Sequence, residues 1–283
     1  MPCLRKPLAN DAVGTGDGRQ GRIPAVVLAG QRAGSNTPLG EAANVAADVM
    51  VPVAGRPSLL RVLDTLTETQ CVWPSVVVGP APSVVADCGE LREQLARHEI
   101  RWQQPGGDPA SSSIAGISGL PTPVLLTAGD HALLTPAVVD EFCSQALKVD
   151  ADFVVGLVPF VLVHEAFPES RRTVLKFADQ PSCGSNLFLV SSPQGVRALE
   201  LWRYMQQHRK HPQRIARSLG MGLLWKYLWG RLSLADALEA LSVKAGCKLA
   251  AVTVRHPAAA VDVDSVADWR LAERILSEDL QRA

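Results

Sequence analysis

Carboxylates in two distant stretches mark where this chain could do chemistry. Asp130 closes the run LLTAGD over 125–130, and Asp262 and Asp264 close the apolar run VDVD over 261–264. A hard carboxylate just past a buried strand suits Mg²⁺ held against a nucleotide phosphate. In a chain that alternates strands and helices, that position opens onto the ligand crevice of an α/β sheet. Together they suggest one metal site, with Asp130, Asp262 and Asp264 as ligands. The alternatives are a turn cap at Asp130 ahead of His131, or a hydrogen bond between the two, and solvated strand-end charges at Asp262 and Asp264.

A second feature is the turn Leu28, Ala29, Gly30, Gln31 with Arg32 after it. A strand ending in a glycine turn exposes backbone N–H groups that can cradle phosphate oxygens. Arg32 can pair with phosphate through two parallel hydrogen bonds. The same residues also read as a plain strand-to-loop turn. Ser111–Ser113 read as a helix cap or as polar contacts to a ligand. Arg171, Arg172 and Lys176 could receive an anionic substrate or face water on a solvated turn. His208 and His211 have metal-binding spacing, but zinc needs two more ligands, so a solvated helix end is the better reading.

The elements that must position these residues follow from periodicity. Strands are predicted over 23–28, 76–78, 100–103, 124–127 and 153–158, with helices over 91–98 and from Pro57 and Pro136 onward. This βαβα order implies a mostly parallel sheet with right-handed crossovers. Two strands, 173–177 and 186–190, are then expected on either side of a turn. A helical block follows over about 192–247, with helices at 193–207, 212–219, 223–229 and 234–245. Ser233 with Asp236, and Ser265 with Asp268, read as capping boxes, and Gly246 as a C′ glycine. A late strand is expected over 248–254. The expected fold class is α/β: a three-layer, mostly parallel nucleotide-binding sheet, as one domain over 23–283, with the helical block inserted over one edge.

Bulk properties exclude several classes. Lys+Arg and Asp+Glu are both 28 in 283 residues, so there is no electrostatic reason to expect nucleic acid as a partner. Six scattered cysteines with no CxxC read as reduced and cytoplasmic, not as a disulfide frame or zinc site. Residues 1–22 are polar and Gly-rich, without a signal-peptide core, and read as a disordered lead-in. The longest apolar stretch, 219–232, is too short to span a bilayer. Within the block, Trp202, Tyr204, Trp225, Tyr227 and Trp229 lie among Arg203, Arg209, Lys210, Arg214 and Arg217. These helices could lie on an anionic membrane surface or dock a lipid-pathway partner. In the plainer alternative the aromatics pack on the sheet and the bases face water.

The ordered set AVVLAG (25–30), VPVAGRP (51–57), LLTAGD (125–130) and DVD (262–264) resembles the nucleotidyltransferase superfamily. That group holds the molybdenum-cofactor nucleotidylyltransferases, the methylerythritol-phosphate cytidylyltransferases and the sugar-1-phosphate nucleotidylyltransferases. The resemblance spans 23–190 and 248–278 and implies the nucleotide-diphospho-sugar transferase-like fold. It implies Mg²⁺-dependent transfer of an NMP from an NTP to a small phosphorylated acceptor, with release of pyrophosphate. CTP or GTP is preferred over UTP on the same ground. Asp130 matches the metal aspartate, and Asp262, then Asp264, the second acidic position. The turn from Leu28 to Gln31 would hold the triphosphate; Gln104, Gly106, Gly107 and Ser113 match base contacts. Lys176 and Arg172 would face the acceptor.

Two departures matter. Gln31 stands where such turns carry a second glycine, and Asp48 stands where they carry a lysine that neutralises the α-phosphate. Losing one such contact typically costs on the order of 10²–10³ in rate. Arg32, on the phosphate turn itself, is the preferred stand-in, ahead of Arg56 and Lys176. Two rival readings follow. One is a sugar-nucleotide glycosyltransferase, from the Asp-x-Asp form of 262–264. The other is a nucleotide-binding protein without catalysis, from Gln31 and Asp48.

Overall fold

Strand β1, Ile23–Leu28, is apolar on both faces and sits between two neighbours, as a run without alternation requires. The computed structural model describes residues 21–31, 37–208 and 221–282. The expected tail, Arg32 and the expected helix at 212–219 lie outside these, apart from Gly21 and Arg22. Around β1 the chain builds α1 (Pro38–Ala43), the hairpin β2 (Pro52–Val53) and β3 (Arg56–Pro57), and α2 (Ser58–Glu68). Then come β4 (Val72–Val78), α3 (Pro82–Asp87), α4 (Gly89–Arg97), β5 (Arg101–Gln103), α5 (Pro109–Ile117) and β6 (Val124–Ala128). The second half runs α6 (Pro136–Ala146), β7 (Phe153–Pro159), α7 (Phe160–Ala166), β8 (Ser182–Val190) and α8 (Val196–Gln207). It ends with α9 (Met221–Leu228), α10 (Leu234–Ala245), β9 (Leu249–Thr253) and α11 (Val266–Arg282).

The seven-stranded sheet has the order β5-β4-β1-β6-β8-β7-β9. All its pairings are parallel except those of β8, which runs antiparallel to both β6 and β7. Helices cover both faces. On one, Ala25, Val27 and Leu125 meet Leu59 and Leu63 of α2 and Val139 and Phe142 of α6. On the other, Val26, Val78 and Leu126 meet Ile117 of α5 and Ala198 and Leu199 of α8. Helix α5 lies very close to the sheet: a Cβ on Gly116 would come within 2.6 Å of Val26 Cγ1 and 2.8 Å of Val78 Cγ2.

Several expectations need correction. The segment expected as a strand over 173–177 makes only one bridge, Leu175 to Ser182, while β8 absorbs much of the expected turn. Two short helices opened by proline, α1 and α3, carry too little periodicity to read from sequence. The helical block does more than cover an edge, since α8 shares a sheet face with α5. Its aromatics divide. Trp202 packs with Phe188, whereas Trp225 and Trp229 stay 55% and 65% exposed beside exposed Tyr227 and Leu228. The Ser233 hydroxyl accepts from Asp236 N at 3.0 Å, and Gly246 closes α10 at φ 68°. The five described cysteines are free. No helix among the described residues is long and apolar enough to cross a membrane.

Candidate active site

The chain steps outward from β1 to β4 and β5, then returns to place β6 on the other side of β1. The sheet's switch point therefore lies between β1 and β6, where ligands enter open α/β sheets. The turn at Gly30 and the carboxyl of Asp130 follow those two strands. Their ends are tied together: Gly129 N donates to Leu28 O at 2.8 Å and Ala29 N to Val78 O at 2.8 Å. Gly30 must be small because a Cβ there would stand 2.8 Å from Pro105 Cβ. Gly79 is constrained twice, by φ 91° and by the carbonyl of Ala29, 2.6 Å from where its Cβ would be.

A third apolar cluster brings the C-terminal segment to this rim. Val261 and Val263, fully buried, pack with Leu39, Val51, Val53, Leu133 and Ala272. Val263 N donates to Asp130 O at 3.1 Å. Helix α11 is pinned from the other side: Trp269 Nε1 donates to Pro52 O at 2.7 Å, and Glu273 accepts from Ala54 N at 2.9 Å. Burying the two valines leaves the alternating aspartates beside Asp130.

Asp130 is half-buried, and its Oδ1 is shut off from solvent with no hydrogen-bond partner. Burial pushes its pKa well above the carboxylate range, and the negative charges of Asp264 and Asp262 push it further. Asp264 is raised as well, first by burial and then by Asp262, while its hydrogen bond with Asp130 and the charge of Arg172 pull it down. Asp130 and Asp264 thus sit within proton-sharing reach. Asp262 is held differently. Its Oδ1 pairs with Arg172 Nη1 at 2.5 Å and its Oδ2 accepts from Asn186 Nδ2 at 3.1 Å. Arg172, with a side chain 7% exposed, also pairs with Asp268. Sequence reasoning gave Arg172 to an acceptor and left Asn186 unmentioned. Asn186 has φ 51°, a conformation Asn tolerates, and no local signal announced it.

Among the described residues, no group of three or more His, Cys, Asp or Glu is arranged to hold a metal ion. The expected three-aspartate cage is therefore not preformed, because Asp262 is engaged by Arg172 and Asn186. The pair Asp130 and Asp264 still fits Mg²⁺. That ion commonly takes one or two carboxylates and completes its shell with phosphate oxygens and water. The orphaned buried Oδ1 of Asp130 is an acceptor only a cation or a donor would satisfy. His131 does not hydrogen-bond Asp130. Burial lowers its pKa to about 4, against the smaller opposing pull of Asp262 and the Ala259 backbone, so it is neutral near pH 7.

The remaining candidates separate. Gln31 Oε1 accepts from Asp48 N at 2.8 Å, and the Thr37 hydroxyl donates to the Asp48 carboxylate. With Gly40 and Asn44, Gln31 and Thr37 line a cavity of about 300 Å³. Asp48 adds negative charge near Asp264, so the acid in the lysine position bears on the site. Arg56 is committed to Asp64 and Glu90 and is no stand-in for that lysine. Lys176 is exposed and forms no ion pair among the described residues. Gln104, Gly106 and Gly107 lie at the rim beside Gly30, with Gly106 N donating to Ser112 Oγ at 2.9 Å. Ser113 is corrected: it is buried within α5, its hydroxyl bonded to Pro109 O at 2.9 Å. Asp108, not a serine, caps that helix.

Comparisons agree with this architecture. A hypothetical transferase from Thermus thermophilus is 28% identical, with a TM-score of 0.73 over 88% of this chain and 99% of that one. CMP:2-keto-3-deoxy-manno-octonic acid synthetase in complex with CTP is 12% identical, with a TM-score of 0.55 over 91% and 99%. Molybdopterin-guanine dinucleotide biosynthesis protein A from Archaeoglobus fulgidus is 13% identical, with a TM-score of 0.50 over 90% and 100%. The last two likenesses concern the fold. No curated protein sequence matches the chain. The MobA-like NTP transferase domain model matches residues 25–256, which takes in the glycine turn, the switch point and Asp130, and the chain therefore belongs to that family.

Proposed function

We propose that this protein is a Mg²⁺-dependent nucleotidyltransferase that joins an NMP from an NTP to a small phosphorylated acceptor and releases pyrophosphate. The observation carrying the reading is the meeting of Asp130 and Asp264 at the switch point, with Asp130 Oδ1 buried and unpartnered. In this reading the backbone N–H groups of Gly30 and Gln31, after Leu28 and Ala29, cradle the triphosphate. Gln104, Gly106 and Gly107 face the base. Asp130 and Asp264 hold Mg²⁺, and Arg172 and Asn186 fix Asp262 so that its charge stays near the pair. Bound Mg²⁺ supplies charge neutralisation at phosphate oxygens, worth several kcal/mol in the transition state. To hold such an ion, Asp130 and Asp264 would have to give up any proton they share. Arg32 neutralises the α-phosphate. The preference for CTP or GTP rests on family likeness, and residence in the cytoplasm on the scattered cysteines.

A thermal-shift screen of the four NTPs with Mg²⁺ tests this reading. A ligand at 100 times its Kd stabilises by about 2.7 kcal/mol. Asp264→Ala is expected to abolish the metal-dependent part; an undiminished shift in that variant refutes the assignment. A second reading, nucleotide binding without turnover, is favoured by the negative charge of Asp48 near Asp264. It predicts the same shift but no pyrophosphate with any acceptor. For the helical block, exposed Trp225 and Trp229 support a membrane-surface role over packing on the sheet. Co-sedimentation with phosphatidylserine vesicles, lost in Trp225→Ser/Trp229→Ser, is the expected outcome.

A further inference from the structure

We propose that a hollow of about 130 Å³ between α2 and α4, beside Arg56, binds a primary ammonium group, as at the end of a short alkylamine or a linear polyamine. None of its lining residues belongs to the acid pair or the glycine turn, so the site does not depend on the nucleotidyl-transfer reading. Glu90, Glu93, Gln94 and Arg97 lie three and four residues apart on α4 and present one face of that helix to the hollow. Arg56 and Asp64 close it from the other side. The floor is Gln94, only 6% exposed. Gln94 Nε2 donates to Asp64 Oδ1 at 2.7 Å, which fixes the orientation of the amide. The other end, Oε1, is shut off from bulk solvent and has no hydrogen-bond partner. A buried acceptor without a donor is costly and calls for an occupant.

The unspent capacity of this hollow is for accepting hydrogen bonds. Asp64 is satisfied from within: Arg56 donates to one oxygen through Nε and to the other through Nη2, the latter at 2.9 Å. Arg56 Nη1 donates to Glu90 Oε1 at 2.5 Å, and Arg97 donates to Glu93 Oε1. The second oxygens of Glu90 and Glu93 remain, together with Gln94 Oε1. Carboxylates in the lining outnumber guanidiniums by three to two, which disfavours an anion and draws in a cation. An ammonium matches three acceptors on three side chains, because it carries three donors and no acceptor. Its compact charge on a thin flexible stem also suits so small a space. Access to the floor is guarded only by the Arg97–Glu93 pair, whose side chains are 64% and 66% exposed. An ion pair that exposed holds weakly and yields at little cost.

The test is calorimetric titration of the full chain with n-butylamine and, separately, putrescine, at constant ionic strength. Tetramethylammonium, a cation with no N–H, is the control. Gln94→Leu removes the orphaned acceptor, and Glu90→Gln/Glu93→Gln removes charge while keeping shape, with melting curves as the folding control. Wild type is expected to bind at least one amine with a Kd below about 10 mM. Each variant is expected to bind that amine at least about tenfold more weakly, since each loses a charge-assisted hydrogen bond. A loss smaller than about tenfold in either folded variant overturns the site. So does equal wild-type affinity for tetramethylammonium, which would mean general attraction to negative charge. A wild-type Kd weaker than about 10 mM for both amines also overturns it, with Oε1 then met by an ordered water only. Should Gln94→Leu fail to fold, the double variant decides alone, since both its side chains are more than half exposed.

Discussion

Replacing Asp130 by asparagine gives the sharpest test of the acid pair. Wild-type Asp130 holds its proton far more tightly in the fold than the ordinary carboxylate value near 3.8 allows. The sign follows from linkage: where the native state binds more protons than the unfolded one, stability falls as pH rises. This contribution is fully present below about pH 4 and is lost progressively up to the raised native value. The slope is about 1.4 kcal/mol per pH unit for one proton. For a chain of 283 residues that corresponds to roughly 2–3 °C in Tm per unit. The amide introduced by Asp130→Asn keeps the shape, donates to the Asp264 carboxylate and does not titrate. In EDTA, the variant should therefore gain on wild type steadily as pH rises from about 4. With Mg²⁺ and NTP the order should reverse, because the ion favours the ionised pair that only wild type can form. The assay is differential scanning fluorimetry across pH, with and without metal. Parallel profiles for the two proteins from about pH 4 to pH 8 would refute the acid-pair reasoning.

Three further outcomes are expected. Gly30→Ala drives a methyl to within 2.8 Å of Pro105 and should cost about 1–3 kcal/mol in urea melts; it should also weaken NTP binding, since the glycine turn must open. Arg172→Met leaves Asp262 and Asp268 without their shared partner and should cost about 3 kcal/mol, at the low end for a broken buried network because both acids keep some solvent. An unchanged urea midpoint would show that the network is only decorative. Asp48→Lys restores a base near the triphosphate turn and should raise pyrophosphate release by about tenfold or more; a fall in rate would mean that Asp48 is itself needed.

Much of the scaffold was legible because its signals are local. β1 and β6 announce themselves as short apolar runs, and α10 by its serine cap and closing glycine. Where the signal was weak, expectation failed. Pro38–Ala43 is too short for periodicity, and 173–177 has strand-like residues but only one bridge to pair with.

For the site, the sequence offered Asp130, then Asp262 ahead of Asp264, and the Gly30 turn, each of which also has a plain reading as a turn or a solvated strand end. It also marked Asp48 as an acid in a basic position. Only the tertiary structure decided what each acid does. Asp262 and Asp264 look alike in the chain, yet Arg172, 90 residues away, claims one, while the other meets Asp130. Likewise Ser113 looked like a ligand contact until α5 rotated it into the core, and Gln94 met Asp64, 30 residues away, only in the folded chain. Charge pairing and burial depend on distances across the fold, and those are set by how the valines at 261 and 263 pack against the rim.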